Sequence, residues 1–460
     1  MLYTKNKINF LILLSFILST LLSTYYINKY DKFSEYQNNK HPMIKIAVQN
    51  HWTEAQAILE DLKKGKNFFE SGLERTDSFL PQKILALFYL LIDQELEEDG
   101  VTKVNNGKIF YLILKSFLYY FIIFLLTSEL LKFFSKKQTF YTVLFLALIP
   151  DIFQYHSSFW NESLFFSFQL LLIYFFFKNS DKKIINNIGI GIIVGLLYSI
   201  SEEYYVYIIF LITIYIIIYK SKSFKPILNL LVGYLFILLI IFGSNSLKNK
   251  SDKIVSYGIK SAFYIYLVPN IIAKNKNISV EDSFNYLKNE AKSWAKKENI
   301  QYADENYILL HIKNSDENEK YLNYIFKKSL ILMIKNPITV IKTTLPKYIH
   351  TITLNPFYVN YFYKYSGKGE FLKTDTHKNL IPIRIFYSLI IYLIIFFGFI
   401  KIIKQRQNNL NIFLTISILY VILSLGWFGN PRYFTPALIF MSIYFGNFFS
   451  QKSQILNEKS

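Results

Sequence analysis

Ten long apolar stretches run through this chain, and the polar residues between them gather in only two places, about Ile27 to Gly107 and about Ser246 to Pro382. The stretches are Ile8–Ile27, Ile109–Leu131, Phe140–Tyr155, Phe159–Phe177, Ile184–Ile200, Tyr204–Tyr219, Pro226–Phe242, Arg384–Ile402, Asn411–Trp427 and Tyr433–Phe449. A helix of about 20 apolar residues crosses a ~30 Å hydrocarbon core while pairing its own backbone groups. The pattern therefore predicts an all-α integral membrane protein with about ten transmembrane helices and two large extracytoplasmic loops containing amphipathic helices.

Charge orients the spans. With the amino terminus in the cytoplasm, the clusters Lys132/Lys136/Lys137, Lys178/Lys182/Lys183, Lys220/Lys222/Lys225 and Lys401/Lys404/Arg406 all fall inside. The short loops Ser157–Ser158, Ser201–Glu203 and Gly429–Pro431 fall outside, and only the last adjoins a basic residue, Arg432. Positive charge resists translocation, so this sorting supports both the count and the direction. Residues 1–27 are then the first span, 28–108 the first outer loop and 109–245 a six-helix block. Residues 246–382 form the second outer loop, 383–451 a three-helix block and 452–460 a cytoplasmic tail. The expected location is the cytoplasmic (inner) membrane, multi-pass, with the active site on the extracytoplasmic face.

Composition agrees. A chain with 52% hydrophobic and 18% aromatic residues reads as one polytopic domain with appended loops. The net charge of +19 does not point to nucleic acid, because the basic residues sit in short loops beside spans. The absence of cysteine excludes disulfides, thiolate metal sites and a Cys nucleophile. The first apolar run lacks a small-x-small cleavage site and reads as an uncleaved span.

One apolar run is too short to cross. Lys83–Ile92, KILALFYLLI, reads as an interfacial helix, and counting it as a span would invert every later loop. Ahead of it, Trp52, Ala55, Ile58, Leu59 and Leu62 recur at helical spacing; Gly65 stops that helix and Pro81 opens the short one. Such helices on the membrane surface would wall a cavity at headgroup level. In the second loop, Val280–Lys297 and Glu317–Lys335 read as helix, with a further piece from Pro337 to Pro346. The stretch from Asn355 to Lys378 has no clear period.

Motifs add a resemblance. The run from His51 to Ile92 holds Ala55-x-x-Ile58-Leu59, the Gly65 stop, a polar stretch with Arg75, then Leu80-Pro81 and LALFYLL. It resembles the first outer loop of the GT-C superfamily, polytopic glycosyltransferases that use polyprenyl-phosphate sugars, such as protein O-mannosyltransferases and aminoarabinose transferases. Pro150 followed by FWNESLFFSFQLLLIYFF is similar to that family's third-to-fourth-span turn, where a Glu opens an apolar helix. ILMIKNPITVIKTTLPKY is similar to its entry into the last spans, and GNPRYFTPALIF to its final span. The resemblance implies a membrane glycosyltransferase moving a sugar from a polyprenyl-phosphate donor to an envelope lipid, glycan or protein acceptor, with inversion at the anomeric carbon.

That chemistry needs a base or orienting group for the acceptor hydroxyl and positive charge for the departing phosphate. The family carries an Asp or Asp-Glu pair just ahead of the first-loop helix, where this chain has Asn50 and His51. Glu54, one turn after His51, is the nearest replacement; Asp31 and His51 are the other catalytic candidates. Glu54 could instead favour its helix amino terminus through the macrodipole. Glu162, Arg432 and Lys115 are the substrate-binding candidates. Arg432 can hold a phosphate bidentately or anchor at the interface by snorkelling. Lys115 lies deeper, with the same two readings. Glu162 can face substrate or serve as a helix amino-terminal charge. Asp151 and His156 could join Glu162 around a divalent ion, but without fixed ligand spacing no metal site is expected. Glu202-Glu203 stands where the family often has a basic residue.

Three other classes remain open, among them a non-catalytic membrane scaffold, which would explain the missing Asp. A lipid-linked saccharide transporter would place charges at mid-membrane on repeated halves, whereas here, Lys115 apart, they sit at span ends and no repeat is visible. An O-antigen-type polymerase or ligase would share the many spans, with its main loop late in the chain.

Overall fold

A computed structural model of the chain describes residues 3–30, 54–72, 80–92, 106–149, 162–178, 184–247, 257–302, 309–310, 312, 315–352, 374–405, 407–425 and 434–450. These residues form α-helices and short 3-10 turns, with no strand among them. Helix α1 (Lys5–Tyr30) is followed by α2 (residues 54–63), α3 (Leu80–Leu91), α4 (Asn106–Phe133), α5 (Lys136–Leu148), α6 (Glu162–Lys178) and α7 (Ile184–Ile200). Then come α8 (Tyr207–Tyr219), α9 (Phe224–Leu247), α10 (Tyr257–Tyr266), α11 (Val268–Lys276), α12 (Val280–Lys297), α13 (Ser315–Lys335) and α14 (Pro337–Ile352). The last three are α15 (Thr374–Lys404), α16 (Asn408–Leu425) and α17 (Thr435–Phe448). Two compact units result, one holding α1–α9 and α15–α17 and the other α10–α14.

Every apolar window of the sequence holds a helix of the first unit. Five described stretches are long and apolar enough to cross a bilayer unaided: Lys5–Leu22, Ile109–Phe133, Tyr204–Lys222, Phe224–Gly243 and Ile385–Lys404. The apolar helices in α6, α7 and α16 are shorter.

Contacts within this unit give each helix a direction. Tyr3 of α1's leading end meets Phe140 of α5 at 5.3 Å between ring centroids. Gln138 of α5 donates to Asn447 of α17, and Asn447 Nδ2 donates to the Gly398 carbonyl of α15 at 3.0 Å. The Lys401 ammonium caps the end of α17 through the carbonyls of Phe448 and Ser450. Phe133 of α4 packs on Phe177 of α6, and Phe176 stacks on Phe413 of α16 at 3.8 Å. Tyr215 of α8 donates to Asn187 of α7 at 2.8 Å. All these positions lie at helix ends that the basic clusters assign to the inside, and they gather at one end of the bundle. Ser135 and Gln138 close a capping box there, which starts α5 directly after the turn from α4.

Between the ends, glycines let backbones touch. A Cβ on Gly191 of α7 would stand 2.0 Å from the Leu230 carbonyl oxygen of α9, and one on Gly233 would stand 2.1 Å from that of Ile188. Gly195 follows Gly191 in a small-xxx-small pattern and faces Ile237. The matched order of these contacts makes α7 and α9 parallel.

Local structure departs from the sequence reading in four places. The expected span Tyr204–Tyr219 opens with a 3-10 turn, Glu202–Val206. Three residues per turn put Tyr204 and Tyr207 on one side, rings 5.3 Å apart, where the Tyr204 hydroxyl accepts from Gln169 at 2.7 Å. Helix α15 begins before the expected Arg384 and runs through Pro382, and α14 continues past Pro346 to Ile352. Helices α10 and α11 were not anticipated at all.

The second unit has a core of its own, built on Tyr264, Val268, Leu287, Ala291, Tyr321 and Ile325. Leu287, Ala291 and Ala295 give α12 a narrow apolar face, and Trp294 stacks on Tyr324 at 4.6 Å. Ser279 caps α12 through the Asp282 amide at 2.9 Å. Polar links finish the packing: Lys260 donates to Asn323 at 2.6 Å, and Glu290 pairs with Lys328.

Candidate active site

The first loop folds as a hairpin of short helices. Gly65, at φ +79°, ends α2 with the Lys66 amide on the Asp61 carbonyl and the Gly65 amide on that of Leu62, both at 3.0 Å. This is the Schellman arrangement, and it needs the left-handed conformation that glycine adopts freely. Asn67 then turns the chain by accepting from the Phe69 amide at 3.1 Å. The Asp61 carboxylate reaches forward to the Gly72 amide at 3.0 Å and pairs with Lys66 at 2.8 Å. Burial works against ionisation of Asp61, but Lys66 and the Gly72 amide outweigh it and hold the carboxyl below its usual range.

Helix α3 packs against this turn. Its 12 residues extend only about 18 Å, too short to cross. One face is buried through Leu85, Ala86 and Tyr89, while Leu91 is exposed. The Lys83 ammonium donates to the Phe68 carbonyl and, at 3.4 Å each, to the carbonyl and hydroxyl of Ser71. It also lies 4.5 Å from the Phe68 ring centre.

Ala55, Ile58 and Leu59 of α2, Leu85, Ala86 and Tyr89 of α3 and Tyr111 of α4 form one apolar cluster. Three ionisable residues border it. Glu54 directly precedes Ala55 and is 2% exposed; Lys83 is 2% exposed; Lys115 is 1% exposed, with its ammonium 5.3 Å from the Tyr111 ring centre. A snorkelling lysine keeps its head in water, so the burial of Lys115 removes that reading. Glu54 is buried at the first described residue of α2, so its macrodipole reading stays open. Buried ionisable groups are costly unless compensated, and they concentrate where chemistry is done.

Lys115 lies about 14 Å along α4 from Asn106, towards the bundle end opposite the gathered inner ends. Beside it, Ser116 donates to Ser19 of α1 at 3.3 Å. The Tyr119 hydroxyl takes the Leu146 carbonyl at 2.9 Å and that of Tyr120 the Ala147 carbonyl at 3.4 Å, which satisfies the last turn of α5. Glu162 is the first residue of α6, and its side chain lies outside the described residues, as do Asp31, His51 and Arg432 entirely. Asp151, His156 and the side chains of Glu202 and Glu203 lie outside them too. Among the described residues, no group of three His, Asp or Glu side chains is placed to hold a metal ion.

Two buried polar residues were not anticipated, Gln82 and Lys83. Their signal was available: both interrupt the apolar face of LPQKILALFYLL, where a polar residue needs a partner.

No protein-family model matches the chain, and no curated protein matches it either. Among solved structures, an archaeal oligosaccharyltransferase, AglB from Archaeoglobus fulgidus in complex with an inhibitory peptide and a dolichol-phosphate, is similar at TM-score 0.41 and 11% identity over 95% of this chain. An Archaeoglobus fulgidus oligosaccharyltransferase tethered to an acceptor peptide containing the NVT sequon is similar at TM-score 0.39 and 10% identity, again over 95% of this chain. The chain spans about half the length of these proteins, 50% and 49%. A likeness this loose carries no argument about this chain.

Proposed function

We propose that the chain is a ten-span membrane glycosyltransferase that moves a sugar from a polyprenyl phosphate to a lipid, glycan or protein acceptor at the extracytoplasmic face of the cytoplasmic membrane. The observation that carries this reading is the burial of a carboxylate, Glu54, and a cation, Lys115, around one apolar cluster of the first loop and α4. The order of GT-C-like motifs along the sequence agrees with it.

The acceptor hydroxyl gives its proton to Glu54 as its oxygen attacks the anomeric carbon. The bond from that carbon to the phosphate oxygen breaks, and the electron pair leaves with the polyprenyl phosphate. Lys115 and Arg432 neutralise the charge that builds on this phosphate. Asp31 and His51 are the alternative bases, and Glu162 orients substrate at the head of α6. A divalent ion bound by substrate and Glu162 would supply the same neutralisation.

Reconstituted protein presented with a panel of polyprenyl-phosphate sugars tests the reading. Glu54→Gln lowers turnover about a hundredfold or more, and Arg432→Ala raises the KM for donor. Lys115→Met removes the cation beside the leaving phosphate and loses turnover. Turnover unchanged in all three variants would remove the site assignment, and no turnover of wild type with any donor would overturn the enzyme reading.

A further inference from the structure

Helix α14 is built inside out. Thr339 is buried and Thr343 and Thr344 are half-buried, their hydroxyls held by the helix's own carbonyls, Thr343 on Thr339 at 2.9 Å and Thr344 on Val340 at 2.8 Å. Ile338, Ile341 and Leu345 face away, while Val340 is half-buried. Ile338, Ile341 and Leu345 are 67%, 61% and 55% exposed, and Ile334, just ahead of the Asn336 break, is 77% exposed. At about 100° per residue, the three on α14 fall within roughly 60° of arc.

The core of the second unit does not use this stripe, although Ile325 and Leu322 of the preceding helix belong to it. The charge pattern indicates what does. Helix α14 has no acidic residue; Lys342 is exposed beside the stripe, and Lys335 is exposed just before it. An apolar stripe with a basic flank complements acyl chains beneath anionic headgroups. The 16 residues reach about 24 Å, which is short of a crossing.

We propose that α14 is a membrane-surface helix whose Ile338–Ile341–Leu345 stripe is immersed at the boundary of an anionic bilayer, anchoring the second unit there. This holds whether or not the protein transfers sugar. Because the chain has no cysteine, single nitroxide labels can be placed on the full-length protein at Ile341→Cys, Leu345→Cys and Thr343→Cys. In nanodiscs of mixed phosphatidylglycerol and phosphatidylcholine, labels at 341 and 345 collide with oxygen and are shielded from a water-soluble nickel chelate, whereas the label at 343 meets neither. Pure phosphatidylcholine lowers the oxygen-to-nickel ratio at 341 and 345 several-fold. Nickel-accessible labels at 341 and 345 in the anionic discs would overturn the proposal, as would spin–spin coupling between two copies or a ratio indifferent to lipid charge. The added pair Lys335→Gln and Lys342→Gln leaves the apolar stripe and the fold untouched and lowers the ratio as phosphatidylcholine does; an unchanged ratio counts against the anionic surface.

Discussion

Asp61 shows how a single side chain ties the first loop together. Its carboxylate accepts from Gly72, eleven residues on, while its own carbonyl completes the Schellman turn at Gly65. Because its pKa is depressed in the folded state, Asp61 contributes stability that is fully present above the unfolded carboxylate value of about 3.9 and is lost as pH falls through the lower folded value. Asp61→Asn removes the charged hydrogen bond at all pH values, and about 1.5 kcal/mol is expected to go with it, a roughly tenfold increase in opening. Hydrogen exchange at residues 54–72 measures this: at pH 7 the variant is protected about tenfold less than wild type. Equal protection of the two proteins at pH 7 would rule out the tie. At this scale the sequence was informative about Glu54 and Lys115, because helical spacing and an isolated cation in an apolar run are visible without coordinates. The polar interruption at Lys83 was visible too, but its partners, the carbonyls of Phe68 and Ser71, were not.

Helices crossed by proline were misjudged for a physical reason. Pro346 removes one donor, but Thr343 and Thr344 on the same turn bond to upstream carbonyls and the helix goes on to Ile352. The α10–α11 pair was missed because Lys and Asn dilute its apolar period, while Pro269 sits in the first turn of α11 where a missing amide costs nothing. Glycines carry the opposite lesson, because their meaning lies in what faces them. Gly191→Ala or Gly233→Ala drives a methyl into backbone oxygen, so α7 and α9 must separate, at a cost of about 1–3 kcal/mol. Gly243, on the same helix α9, has nothing within 4 Å of its Cβ, and Gly243→Ala gains up to about 1 kcal/mol from helix propensity. Thermal unfolding in detergent distinguishes them, with midpoints that fall for the first two variants and hold or rise for the third. A common shift in all three would mean that the close approach does not govern this helix pair.

Across the whole first unit, topology hangs on one short helix. If α3 crossed the membrane, every later loop would change sides, and the lysines around 132–137, 178–183, 220–225 and 401–406 would all be translocated. Its 12 residues, its burial against α2 and α4, and the gathering of seven helix ends through Gln138, Asn187, Phe413 and Asn447 all favour leaving it on one side. The helices at the apolar windows were legible from apolar length; the pairing of α7 with α9 and of α15 with α17 was not, because it depends on which glycine meets which carbonyl. A cysteine-free chain makes the test direct. Single variants Lys137→Cys, Ser158→Cys, Ser221→Cys and Ser279→Cys in intact spheroplasts are treated with a membrane-impermeant maleimide. Ser158→Cys and Ser279→Cys label from outside, while Lys137→Cys and Ser221→Cys label only after the membrane is opened. Crossing by α3 reverses all four results together, and that reversal would leave Glu54 outside while placing the Lys115 end of α4 on the inside, so the two could not serve one donor. Labelling thus decides the side on which the candidate site opens before any donor sugar is known.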